Sequence, residues 1–152
     1  QDWKVAILGR GQLRDDIASI LRDELAEQKV ELAYVPNPYS YFQRSKIFVS
    51  LVYPDNYPSQ SVLEAMYCSN ALVLTNGGYS RRFIDSEAPN GYLVDYQADA
   101  VLNALMEMTE DTDLTLQMGR RSKEHLEHEF AKERYLEHLQ SLYEEVLAPS
   151  AR

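Results

Sequence analysis

At 152 residues, with 45% apolar and 26% charged side chains, the chain is long enough for one domain with its own core and too apolar to be disordered. A net charge of −9 excludes a general nucleic-acid binder, and no apolar run approaches the ~18 residues of a membrane helix. The single cysteine, Cys68, excludes an internal disulfide and a cysteine-based zinc site, and points to a reducing, cytoplasmic setting. The acidity is uneven: residues 107–145 hold 11 acids and 5 bases, against 13 acids and 10 bases elsewhere. A small anionic ligand is therefore tolerated best in the first two thirds, where Arg10, Arg81 and Arg82 lie near loops. The opening "QDWKVAILGRG" has too short an apolar part for a signal peptide.

In chain order, the apolar run "KVAIL" (4–8) predicts a buried strand that ends at Gly9–Gly11. Leu13, Ile17, Ile20, Leu21 and Leu25 then recur at helical spacing from Gln12 to about Gln28. "VELAYV" (30–35) reads as a strand stopped by "PNP", and "YSYFQRS" (39–45) as a short helical turn. "KIFVSLV" (46–52) is a third strand, followed by a loop with two prolines, a helix over 59–68 and the strand "ALVLT" (71–75). After "NGGY" comes a short turn or helix near 80–86, then "NG" and a fifth strand, "YLVDY". Helices over about 97–109, 112–129 and 131–147 close the chain.

Alternating strands and helices, with strands apolar throughout, predict both sheet faces covered. The fold class is α/β: a Rossmann-like, doubly wound parallel sheet of about five strands, helices on both faces and a helical C-terminal segment. One domain spans 1–152. Ligands of such sheets bind beyond the carboxyl ends of the strands. The stretch "YPDNYPSQSVLEAMYCSNALVLTNGGYS" (53–80) occupies that edge. Ser59 or Ser61 can cap the helix start, with Pro58 just before it. A helix N-terminus offers free N–H groups to phosphate. Glu64, about one and a half turns in, cannot help bind phosphate but can accept hydrogen bonds from sugar hydroxyls. Phosphate donors beside a hydroxyl acceptor suggest a nucleotide or nucleotide-sugar.

"IFVSLVYPDNYPSQSVLEAM" resembles the acid-containing motif of the group 1 (family-4) retaining glycosyltransferases. The preceding "ILGRGQLRDDI" and "VELAYVPN", and the following "ALVLTNGGYSRRFI", "NGYLVD" and "LQMGRRSKEHLEHEFAKERYLEHLQSLYEEVL", keep the family's order. The resemblance covers nearly the whole chain and implies the C-terminal, donor-binding domain of a two-domain hexosyltransferase of polysaccharide biosynthesis. It implies Glu64 as the ribose ligand and Asp55 as the acid, catalytic in role, that approaches the donor sugar. Tyr57, Pro58, Ser59, Gln60 and Ser61 would meet phosphate and sugar. Tyr34, Val35 and Pro36 would frame the base, and Gly77, Gly78 and Arg81 are candidates for the phosphate or sugar loop.

No cofactor or essential metal is implied. The implied partners are a nucleotide-diphosphate sugar and an N-terminal acceptor domain of the same chain, with membrane association only through that parent. Asp55 and Glu64 have eight residues between them where the family has seven, and the family's first strand with its Gly-Arg…Lys-Gly loop has no counterpart before "DWKVAIL". The chain therefore reads as a fragment, inactive alone. Two alternatives stay open: a sugar-nucleotide epimerase-like enzyme and a degenerate, non-catalytic domain of the same architecture. Leu102, Leu105, Met106, Leu114, Leu116 and Met118 are expected in the core, Cys68 as a small buried hydrophobe, and His125 and His128 on a solvated helix face.

Overall fold

A computed structural model describes residues 3–54 and 57–147. Five parallel-paired strands lie in two sheets, and the chain divides into two compact units, 1–45 and 46–152.

In the first unit, β1 (Val5–Leu8) pairs in parallel with β2 (Val30–Ala33), from Val5 opposite Val30 to Leu8 opposite Ala33. The single helix expected over 12–28 is two: α1 (Arg14–Ile20) and α2 (Arg22–Ala26), separated at Leu21. Each starts with its own pair of acids, Asp15 and Asp16 or Asp23 and Glu24, which suit the positive end of a helix dipole. Gln28, at φ 56°, turns the chain out of α2 while the Lys29 amide bonds the Glu24 carbonyl at 2.9 Å. Helix α3 (Tyr39–Arg44) is fastened to β2 through Glu31, which accepts from the Tyr41 hydroxyl and from Arg44 Nη2.

In the second unit, β3 (Ile47–Ser50), β4 (Ala71–Thr75) and β5 (Gly91–Val94) form a parallel sheet with β4 at its centre. All five β4 residues are buried, as a strand covered on both faces requires. Ala71 and Val73 pack with Val94, with Ala104 and Met108 of α5 (Ala98–Glu110) and with Met118 of α6 (Thr112–Glu129). Leu72 and Leu74 point the other way, onto Val62 and Met66 of α4 (Gln60–Tyr67) and onto Phe83 of a 3-10 turn, Ser80–Phe83. Burying each such side chain stabilises by about 1.5–3 kcal/mol, so these two clusters dominate the unit's stability. The last helix, α7 (Lys132–Leu147), buries none of its residues.

The core differs from expectation along the helices. Met118 is buried and Leu105 and Leu114 pack partly against the core, but Leu102, Met106 and Leu116 are exposed. Beside Met118, the inward stripe of α6 is made of small residues: Thr115, Gly119 and Ser122. Each has a specific contact. Thr115 Oγ1 donates to the Met108 carbonyl at 2.6 Å, and Ser122 exchanges hydrogen bonds with Asn90. Gly119 lets α6 approach the turn after α4, where Ser69 has φ 58°. Asp111 caps α6 by accepting the Leu114 amide at 2.9 Å. Cys68, expected to be buried, is half-exposed at the end of α4.

Tyr92 on β5 ties the sheet to α5, its hydroxyl donating to Glu107 Oε1 at 2.6 Å. Burial, with the Glu107 bond second, pushes the phenol from 10.0 up to about 12. The folded state thus holds this proton more tightly than the unfolded chain. Its stabilisation is complete below pH 10 and is lost as pH rises from 10 through 12. In Tyr92→Phe the fall in stability across that window should be shallower, as read by urea titrations at stepped pH.

Candidate functional site

The loops after β3, β4 and β5 leave the same edge of the second sheet, because the three strands are parallel. The loop after β3 carries Pro58 into Ser59, which occupies the N-cap of α4 with extended backbone (φ −88°, ψ 116°). Its side chain does not cap the helix; Ser59 Oγ meets Ser61 Oγ at 3.1 Å instead. The first intrahelical bond runs from the Leu63 amide to the Ser59 carbonyl, so the N–H groups of residues 60–62 are the unpaired ones of a helix start. Ser59 is buried, Pro58 and Gln60 are exposed, and Tyr57 and Ser61 are half-buried.

Glu64 is half-buried one turn further along. Gln60 Nε2 donates to its Oε1 at 2.7 Å, a contact between residues one helical turn apart. That bond fixes the carboxylate and leaves Oε2 without a bond among the described residues.

Gly77 and Gly78 follow β4. Gly78 sits at φ 49°, where a glycine fits without strain, and the Ser80 amide closes the turn on the Gly77 carbonyl at 3.0 Å. Arg81 and Arg82 project from the 3-10 turn, both exposed. The Arg82 guanidinium lies 5.6 Å over the Tyr57 ring, which also packs on Tyr79 and Phe83 at 5.8 and 5.1 Å. The structure thus brings the α4 start and the glycine turn together through Tyr57. Tyr79 and Arg82 belong to that cluster, whereas the sequence pattern singles out Arg81 and gives Tyr79 no role. Nothing in the local pattern distinguishes them, because the contacts span more than 20 residues.

The turn is held from behind by α6. His125, expected on a solvated face, is mostly buried, with its side chain 12% exposed. Its Nε2 bonds the Arg82 carbonyl at 3.0 Å; since a carbonyl only accepts, Nε2 carries the hydrogen. Its Nδ1 lies 3.8 Å from Asp85 Oδ2. The amides of Glu87 and Ala88, then the neighbouring His125, hold the Asp85 carboxyl below its ordinary value. His128 is exposed as expected.

Tyr34, Val35 and Pro36 leave the carboxyl end of β2 in the first unit. Tyr34 is exposed, with the Arg10 guanidinium 4.9 Å over its ring. Asp55 lies outside the described residues.

Residues 1–125 match the family described as glycosyl transferases group 1. The chain belongs to this family. It is 29% identical over 115 residues to the N-acetylgalactosamine-N,N'-diacetylbacillosaminyl-diphospho-undecaprenol 4-alpha-N-acetylgalactosaminyltransferase of Campylobacter jejuni, a span of 74% of this chain and 31% of that protein. S. aureus TarM, solved with Fondaparinux, alpha-GlcNAc-glycerol and UDP, superposes with a TM-score of 0.77 at 24% identity, over 92% of this chain and 29% of TarM. The pneumococcal O-GlcNAc transferase GtfA, solved with UDP and GlcNAc, gives 0.76 at 19% identity, over 96% of this chain and 30% of GtfA. These likenesses establish the Rossmann-like α/β fold of the family. The chain spans about a third of the length of each. Among the described residues, no helix is long and apolar enough to cross a membrane.

Proposed function

We propose that this chain is the donor-binding half of a retaining, family-4 glycosyltransferase. It takes a nucleotide-diphosphate sugar, and the whole enzyme moves the sugar to a glycan, lipid or other acceptor. The observation that carries the reading is the α4 start: unpaired N–H groups at a sheet's carboxyl edge, with a carboxylate oriented one turn along. The N–H groups suit the diphosphate and Glu64 suits the ribose hydroxyls. Arg81, exposed on the turn after Gly77 and Gly78, offers positive charge to the departing diphosphate. Asp55 orients sugar hydroxyls near the reacting carbon.

In this reading the first strand of the domain and an acceptor domain lie upstream in the parent chain. The parent works in the cytoplasm, reaches the membrane face through its other parts, and needs no metal. UDP is the nucleotide to try first, because the TarM and GtfA structures hold it.

A titration with UDP, GDP and ADP, followed by amide chemical shifts, tests the site. Shifts should cluster at residues 57–64; their absence at millimolar nucleotide sinks the assignment. Glu64→Ala should weaken binding roughly tenfold or more, the scale of a lost hydrogen bond to a charged group, and more than Asp55→Ala does. Calorimetry with UDP reads the difference, and the reverse order would undo the ribose role. The eight-residue spacing of the two acids supports a second reading, a degenerate domain that binds without transfer. Product analysis of the parent enzyme with and without acceptor separates transfer, epimerisation and inertness.

A further inference from the structure

The loop after β3 carries two tyrosines with different partners. Tyr57 packs on the glycine turn, against Tyr79 and Phe83. Tyr53 stacks instead on Tyr96 of the loop after β5, with ring centroids 5.9 Å apart and planes inclined by 28°. Strands β3 and β5 are not neighbours, because β4 lies between them. The two loops therefore reach across the end of β4 to form an offset-stacked pair.

That pair adds little to the core, since Tyr53 is 73% and Tyr96 64% exposed. Tyr96 nevertheless sits on a short connection. β5 ends at Val94, α5 begins at Ala98, and the Gln97 amide bonds the Asp95 carbonyl at 2.7 Å across Tyr96. A three-residue turn of this kind holds its central residue in place. Asp95, Gln97 and Asp99 beside it are exposed as well.

We propose that Tyr53 and Tyr96 form a platform for a neutral sugar ring of the acceptor glycan, beside the donor site on the same sheet edge. The inference rests on the proposed transfer to a glycan. An aromatic face is negative, and the C–H groups on the flat face of a pyranose are weakly positive, so the two stack. Tyrosine supplies that contact area at low entropic cost. Hydroxyls at the sugar rim would meet Asp95, which only accepts, and Gln97, which donates and accepts. Asp95 and Asp99 repel a diphosphate, which separates this surface from the helix start that suits one. One loop carries both Tyr53 and the Tyr57–Ser59 segment, so acceptor ring and donor are brought close together.

Saturation-transfer NMR on the protein with maltotriose, cellotriose and chitotriose tests the platform. Irradiating tyrosine ring protons should transfer magnetisation to the C–H protons of at least one of these sugars at millimolar concentration. Tyr53→Leu and Tyr96→Leu should each cut the transfer at least about threefold, whereas Tyr53→Phe and Tyr96→Phe should keep it, because stacking needs the ring and not the hydroxyl. All four variants should unfold at the parent's urea midpoint, as exposed substitutions do.

No transfer to any of the three sugars overturns the proposal, and so does transfer that survives both leucine variants. Movement of the Tyr53 and Tyr96 ring signals by UDP would assign the pair to the nucleotide and overturn it equally. Sugar transfer without UDP shifts at residues 57–64 would support the platform and count against the donor site alone.

Discussion

Gly119→Ala is expected to destabilise the protein by about 2 kcal/mol or more, although alanine is the better helix former. In an open helix the exchange would gain about 1 kcal/mol. Here a Cβ on Gly119 would lie 2.1 Å from the Ser69 carbonyl oxygen, a backbone atom that no rotamer change can remove. Helix α6 would have to move away from the α4–β4 turn. It would lose packing at Met118 and strain the bonds of Thr115 and Ser122 on the same face. Overpacking costs typically 1–3 kcal/mol and occasionally more, and a 2.1 Å approach to immovable backbone lies at the upper end or beyond it, so about 2 kcal/mol or more remains after the propensity gain is subtracted. Urea titration should show a lower midpoint. Gly77→Ala is the control: its Cβ would meet nothing within 4 Å, and stability should change by less than about 0.5 kcal/mol. An unchanged midpoint in Gly119→Ala would show that α6 does not approach Ser69 as described.

The same helix shows what was legible in the sequence. Strand β4 is legible to the residue, because four apolar side chains in a row followed by a β-branched threonine, between turn signals, have few other uses. The expected ranges of the long helices lie within a residue or two of those in the structure. The buried face of α6 is not legible in the same way. Hydrophobic periodicity favours Leu116, yet Thr115, Gly119 and Ser122 face inward beside Met118: the Ser69 backbone leaves no room for a Cβ at Gly119, and Thr115 and Ser122 satisfy their hydroxyls in buried hydrogen bonds.

The break at Leu21 carried no glycine or proline to announce it. At the candidate site, Ser59, Gln60 and Glu64 were legible as a local pattern. The Tyr57–Tyr79–Arg82 cluster and the grip of His125 on the 3-10 turn were not, since both depend on partners distant in sequence. His125 was further disguised by Glu124 and Glu127, which make its stretch of α6 read as solvated.

These distant contacts matter because the proposed phosphate-facing groups sit on short segments with little stability of their own. The 3-10 turn has four residues, and its position is set by Phe83 in the core, by His125 and by Asn90. Its arginines can be preorganised for an anion only if those anchors hold.

Asn90 is the strongest of these anchors, and Asn90→Ala is expected to cost about 3 kcal/mol. The side chain is fully buried. Its Nδ2 donates to the Phe83 carbonyl at 3.0 Å and to Ser122 Oγ at 3.2 Å, while its Oδ1 accepts the Asp85 amide at 2.9 Å. Alanine would strand the Phe83 carbonyl and the Asp85 amide, at about 1–3 kcal/mol for each buried group left unpaired. Thermal and urea unfolding read the loss.

Asn90→Asp separates shape from polarity. It keeps an acceptor for Asp85 but turns an oxygen toward the Phe83 carbonyl and places a carboxyl where burial favours its neutral form. That carboxyl's pKa is raised by folding, so the variant should come closest to the parent protein below about pH 4, the ordinary carboxylate value, and fall away as pH rises through the raised pKa. If Asn90→Ala unfolds at the parent's urea midpoint, the turn is held by Phe83 and His125 alone. If it is destabilised but still folded, UDP affinity should fall with it, because Arg81 and Arg82 lose the backbone that aims them.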